Sequence, residues 1–183
     1  MVTFDLAALP TCTRCVLSVT RQRVVVGSGP TTPALLIVGE APGASEDEGG
    51  EPFIGRSGRL LFRLLDEELS LRREDCFVTN VVKCRPPNNR VPHRAELEAC
   101  RGWLDAQLAA VTPRAVVTLG NTAARAVFGG SEPMARAHGQ LHPISGVSGL
   151  ATYHPAAALR GGERVTQLLR RDLQLLAPLL AAS

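Results

Sequence analysis

Four short apolar runs punctuate the chain: Ala34–Gly39, Cys76–Val82, Ala115–Gly120 and Val147–Tyr153. They are near-continuous rather than strictly alternating, the pattern of parallel strands covered on both faces. Helical spacing fills the intervals. Ser57 is placed to cap a helix carrying Leu60, Leu61, Leu64 and Leu65 on one face. A second helix is predicted from His93 to Ala110, with Leu97, Cys100, Leu104 and Leu108 aligned. Asn121 is expected to cap a short third helix, and Glu163–Leu176 to form a fourth. Strands alternating with helices predict an α/β fold of three layers with a mostly parallel sheet. The segments Glu40–Arg56 and Arg85–Pro92 read as irregular and are long for simple connections, which marks them as candidates for function.

Each predicted strand is followed by a polar or backbone-permissive group. These are Gly39-Glu40 after the first, Asn80 at the end of the second, Gly120-Asn121 after the third and His154 after the fourth. In open parallel sheets the ligand crevice lies outside the carboxyl ends of the strands. Four elements distant in sequence are therefore expected to converge on one site.

Length and composition narrow the picture. At 183 residues, one domain over 1–183 is expected, and 45% hydrophobic residues suffice for a sizeable core. The opening MVTFDLAALP has neither the basic start nor the apolar run of a signal peptide, and no stretch reaches the length of a membrane span. A soluble, cytoplasmic protein is expected. The net charge of +3 lies below the strongly basic range of many nucleic-acid binders. Of the twenty basic residues only Lys83 is lysine, a bias toward arginine that suits phosphate contacts but that genomic base composition also produces.

Five cysteines stand at positions 12, 15, 76, 84 and 100. In a cytosolic chain a close pair such as Cys12-Thr-Arg-Cys15 reads as metal or redox chemistry. With Cys84 and Cys100, four thiolates could hold zinc or an iron–sulfur cluster, and spacing alone does not choose. Cys100 also suits a core position between Leu97 and Leu104, as does Cys76, which is left out of the ligand set.

Three segments together resemble a known family. Gly39-Glu40-Ala41-Pro42-Gly43, followed by Glu46-Asp47 and Glu51-Pro52-Phe53-Ile54-Gly55, is similar to the first motif of the iron–sulfur (family 4) uracil-DNA glycosylases. The run from Thr79 to Arg90 (TNVVKCRPPNNR) resembles the second signature, and His154-Pro155-Ala156-Ala157-Ala158-Leu159-Arg160 the third. The resemblance covers about Cys12 to Arg171, nearly the whole chain. It implies a three-layer αβα sandwich around a four-stranded, mostly parallel sheet, and a [4Fe-4S] cluster on Cys12, Cys15, Cys84 and Cys100. It implies a monofunctional glycosylase that starts base excision repair on uracil-containing single- or double-stranded DNA. The chain departs from relatives that trap DNA covalently in lacking their histidine-bearing insertion after Cys84. His93 is the nearest histidine and reads as a cap or first-turn residue.

On that resemblance, Phe53 stacks on a base drawn out of the helix. Asn80 reads the pairing edge of uracil, and His154 donates to the oxygen where negative charge develops. Where some related enzymes carry an acidic residue, this chain has Ala41, so Glu40 or Glu46, with backbone groups around Gly39–Gly43, are expected to hold the attacking water. Leu159 and Arg160 are expected to wedge into the duplex, and Arg56, Arg59, Arg85 and Arg90 to meet phosphates. A monomer is expected. Two other readings compete: a metal-bearing nucleic-acid-binding module without catalysis, and a small-molecule hydrolase using His154 and Glu40. The first does not explain the convergence of Glu40, Phe53, Asn80 and His154. The second lacks a nucleophile elbow or a phosphate loop.

Overall fold

In the computed structural model, which describes residues 4–181, the expected parallel strands form as β1 (Leu35–Gly39), β2 (Cys76–Asn80), β3 (Ala115–Leu119) and β5 (Val147–Thr152). A strand absent from the sequence prediction, β4 (Gln140–Ile144), lies before β5. The sheet runs β2-β1-β3-β5-β4, with every pair parallel except β4 against β5. The sheet thus has five strands instead of four, and the extra one is an antiparallel edge. Its sequence, QLHPI, is mostly exposed and holds a proline, features tolerated only at an edge. Ser145 (φ 48°) and Gly146 (φ 84°) both take left-handed conformations and close the hairpin between Ile144 and Val147.

All five residues of β1 are buried, as are all five of β3, because helices cover both sides. On one face Leu35, Ile37, Val78, Val117 and Leu150 pack against Leu60, Leu61, Leu64 and Leu65 of α3 (Arg56–Leu69) and Leu169 and Leu173 of α8 (Glu163–Gln174). On the other, Leu36, Val38 and Val116 meet Leu104 of α4 (Arg94–Ala110) and Ala123 of α5 (Asn121–Phe128). Successive strand residues point to opposite layers, so one apolar run supplies two cores. Shorter helices complete the chain: α1 (Leu17–Thr20), α2 (Ala44–Gly49), α6 (Met134–Ala137), α7 (Pro155–Gly161) and α9 (Ala177–Ala181). Of these, α2 falls inside a segment expected to be irregular. The domain expected over 1–183 includes residues 1–3 and 182–183, which lie outside the described residues. Among the described residues no helix is long and apolar enough to cross a membrane.

Two caps differ from expectation. Gly55 precedes α3, placing Ser57 inside its first turn. Gly120 precedes α5 at φ 89°, a conformation open to glycine, so Asn121 is the first helical residue. His93 does cap α4, and its backbone N–H donates to the Glu96 carboxylate at 2.7 Å.

Candidate active site

At the carboxyl ends of β1, β2, β3 and β5 a cavity of about 530 Å³ opens, lined in part by Glu40, Glu46, Phe53, Asn80 and His154. Ala41, Arg90 and Arg160 also line it, whereas Arg56, Arg85 and Leu159 lie outside the lining. Register explains the convergence: Gly39 at the end of β1 pairs with Asn80 at the end of β2. Pairing continues past the strands, with Val81 N–H donating to the Gly39 carbonyl and Val82 N–H to that of Glu40. A Cβ on Gly39 would stand 2.3 Å from Asn80 Oδ1 and 2.6 Å from the Phe53 ring, so only glycine lets both side chains close over this point.

Asn80 is 1% exposed, yet neither its Oδ1 nor its Nδ2 has a hydrogen-bond partner. Leaving such groups unpaired costs about 1–3 kcal/mol each, and native interiors rarely tolerate it. A buried donor and acceptor facing a cavity are therefore available to a ligand.

Phe53 sits in the left-handed region at φ 55°, a costly conformation for a bulky residue. Arg73 holds it there, donating from Nη2 to the Pro52 carbonyl at 2.5 Å and from Nη1 to that of Phe53 at 3.4 Å. The Phe53 ring stacks toward His154, with centroids 5.6 Å apart and planes 29° from parallel.

His154 caps α7, and its Nδ1 accepts from the backbone N–H of Ala156 at 3.1 Å. That bond assigns the ring proton of the neutral form to Nε2. Burial, reinforced by Arg160 and opposed by Glu46, pushes its pKa down from 6.5 to about 4. At neutral pH the group is an uncharged imidazole with an N–H to give.

The two glutamates differ. Thr122 donates its hydroxyl to Glu40 Oε2, leaving the carboxylate oriented beside the cavity. Thr122 was not foreseen; the signal was a small hydroxyl one turn past the third strand, on the side where the site lies. Glu46 is buried, and both oxygens accept backbone N–H groups, from Gly43 at 3.0 Å and from Gly55 at 2.8 Å. It ties the start of α2 to the start of α3. Arg90, expected on phosphate, instead forms a two-pronged ion pair with buried Glu96, at 2.8 and 2.6 Å. Its guanidinium braces the Arg85–Pro92 loop. Arg85 donates from Nε to Asn89 at 2.8 Å, and Arg59 from Nη1 to the Ile54 carbonyl at 3.2 Å. Arg56, Leu159 and Arg160 remain exposed.

The cysteines fall into two places. Cys76 is buried in the main core, where desolvation raises its pKa to about 12. Cys12, Cys84 and Cys100 gather with Cys15 on the α4 side, near enough that Cys84 feels Cys100 and Cys15, and Cys100 feels Cys15 and Cys12. Burial raises Cys84 to about 11, opposed by Arg21, whose Nη1 donates to its sulfur at 3.3 Å. Trp103 Nε1 donates to Cys12 Sγ at 3.2 Å. All five cysteines are free. Among the described residues no group of three or more His, Cys, Asp or Glu side chains stands in ready-made metal-binding geometry. The donor chemistry nonetheless fits a thiolate-bound metal group: soft ligands, partly buried, with N–H donors aimed at sulfur.

A three-layer sheet with a polar cavity at its strand ends defines an α/β enzyme scaffold. Residues 26–176 match the family model of the uracil DNA glycosylase superfamily. Similar relatives include a type-4 uracil-DNA glycosylase of Pyrobaculum aerophilum, 45% identical over 160 residues, covering 81% of this chain and 80% of the relative. That of Thermotoga maritima is 43% identical over 168 residues, covering 89% and 86%. A type-5 uracil-DNA glycosylase of Thermus thermophilus is 33% identical over 180 residues, covering 87% and 81%. The chain belongs to the uracil-DNA glycosylase superfamily, in its type-4 branch.

Proposed function

We propose that the cavity receives a uracil base drawn out of DNA and that the protein hydrolyses its base–sugar bond, leaving the strand intact. The observation that carries this reading is the buried, unpaired carboxamide of Asn80. Uracil presents an N–H donor beside a carbonyl acceptor, and a fixed carboxamide complements both. Cytosine reverses that pattern and would leave opposed groups in a dry site. Phe53 offers its face to the base from a backbone held in place by Arg73.

As the bond to the sugar breaks, the electron pair leaves with the base and charge collects on a carbonyl oxygen beside the departing nitrogen. His154 donates Nε2–H to that oxygen, and because the imidazole is neutral it stabilises the anion without surrendering a proton. Water adds to the sugar carbon and releases a proton toward Glu40, which Thr122 orients. Glu46, with both oxygens engaged by backbone, shapes the pocket. Arg56, Arg85 and Arg160 meet phosphates, and exposed Leu159 fills the gap left in the duplex.

Cys12, Cys15, Cys84 and Cys100 would hold a [4Fe-4S] cluster, whose bonds cross-link the amino-terminal segment to the loop after β2 and to α4. Lys83 does not serve as a Schiff-base amine: it is 1% exposed and its Nζ makes three hydrogen bonds. An oligonucleotide with one uracil, incubated with the protein and then treated with alkali, tests the reading. Breakage at the uracil only after alkali is expected. No breakage would overturn the excision, and breakage before alkali the intact-strand product.

A further inference from the structure

Lys83 is the only lysine among twenty Lys and Arg residues, and it occupies the least accessible basic position. Its Nζ donates to Thr79 Oγ1 at 2.7 Å, to the Asn80 carbonyl at 2.5 Å and to Gln107 Oε1 at 2.6 Å. The Thr79 hydroxyl donates onward to Gln107 Oε1 at 2.9 Å, and Gln107 Nε2 to the Val26 carbonyl at 2.5 Å. Every proton of the ammonium is used. Three oxygens converging on one point suit a compact ammonium and not a planar five-donor fork, which accounts for a lysine in a chain that otherwise uses arginine.

Stability alone does not explain the arrangement. Its hydrogen-bond acceptors are all neutral, only Cys100 adds a favourable charge nearby, and apolar replacements of buried charged groups are often neutral or stabilising. What the network grips is the backbone of Asn80, whose side chain has no hydrogen bond of its own. The orientation of that carboxamide therefore depends on packing over Gly39 and on where its backbone is held.

We infer that Lys83 is a positioning residue for base selection: through the Asn80 carbonyl, its ammonium holds the Asn80 carboxamide in the orientation that accepts uracil. The inference rests on Asn80 reading the base. Its test compares Lys83→Met, Lys83→Arg, Thr79→Val and Asn80→Asp with the parent. The measurements are thermal unfolding, calorimetric binding of free uracil, and single-turnover cleavage of uracil and cytosine substrates.

Lys83→Met should lose about tenfold in free-uracil affinity and about tenfold in uracil-over-cytosine preference, the size of about one hydrogen bond. The cleavage rate at saturation should change less than about threefold, because His154 is untouched. Lys83→Arg should not rescue. Thr79→Val, which removes one of the three acceptors, should shift both quantities about two- to threefold in the same direction. A folded Lys83→Met with parental uracil affinity and preference overturns the inference. If that variant does not fold, parental values in Thr79→Val overturn it. If Asn80→Asp is itself parental, the base-reading assignment fails instead, and that outcome is separately visible.

Discussion

The sheet has a cavity at each end, and the two are built from different chemistry. At the carboxyl ends of the strands the space of about 530 Å³ is ringed by Glu40, Glu46, Asn80, His154 and Arg160. At the opposite end a smaller one, about 320 Å³, is lined by Leu36, Leu108, Val111, Val116, Ile144 and Val147, with no charged side chain. Both arise where helices pack over a twisted sheet. The first lies where the carboxyl ends of the strands release the chain into loops and helix starts, and of the two only it is lined by charged side chains.

The contrast extends to buried polar groups. Asp172 is 4% exposed, but it accepts from Thr152 Oγ1 at 2.6 Å and meets His138 Nδ1 at 3.2 Å. Thr118, also buried, donates to the Leu150 carbonyl. The β3–β5 side thus pairs its polar atoms, while the β1–β2 side leaves Asn80 without a partner. An unpaired group where the other buried side chains of the described residues are satisfied marks the ligand site more sharply than cavity size does.

The largest expected effect is at His154. His154→Ala should slow single-turnover cleavage of uracil by about a hundredfold or more while keeping discrimination against cytosine, as for loss of one oxyanion-type donor. A parental rate would remove the catalytic distinction between the two ends. The same residue sets a pH signature. In the folded protein His154 titrates at about 4 rather than 6.5, so between those values the unfolded chain takes up a proton that the folded one refuses. The stability this group contributes is full above 6.5 and is lost as pH falls toward 4. The cleavage step of the parent should likewise stay level down to about pH 5 and fall as the imidazole charges. An acid limb centred at 6.5 would show that His154 is not held neutral by its site.

Next in size is Asn80→Asp, which trades the amide donor for a second acceptor. Uracil cleavage should fall by at least about tenfold, since a site built on hydrogen bonds rejects a mismatched edge strongly. Matched uracil and cytosine substrates measure both rate and preference. Parental values for both would place base reading elsewhere and make the unpaired carboxamide incidental.

Much of this was legible in the sequence because strand ends are legible. The apolar runs Ala34–Gly39, Cys76–Val82 and Val147–Tyr153 end within two residues of the observed strand ends at Gly39, Asn80 and Thr152, and the residues at those ends line the site. Among the cysteines, the tight Cys12–Cys15 pair and the place of Cys84 after a strand were legible, whereas Cys100 was distinguished from Cys76 only by the family resemblance. Partnership was not legible. Arg90 and Arg160 look alike in sequence and both line the cavity, yet Arg90 is clamped by Glu96 while Arg160 is exposed. Glu40 and Glu46 stand six residues apart, and only the path of the chain gives one to Thr122 and the other to two backbone amides. The β4 edge escaped because exposed Pro143 and half-buried His142 carry no strand pattern; Ser145-Gly146 was the available turn signal.

The smallest expected effect on catalysis lies at the apolar cavity, and it closes the comparison from the other side. Leu108 reaches that space from α4 and packs on the core formed by Leu36, Val116 and Leu104. Leu108→Ala should lower thermal stability, by at most about 2–5 kcal/mol because the side chain is only partly buried. Distant sites with no shared partners behave independently, so uracil cleavage, measured well below the unfolding midpoint, should stay within about twofold of the parent. Thermal unfolding and single-turnover rates on one preparation read both quantities. A tenfold or greater loss of cleavage in a folded Leu108→Ala, a size taken as about one hydrogen bond, would mean that the two ends of the sheet are coupled. The division between a catalytic end and a packing end would then fail.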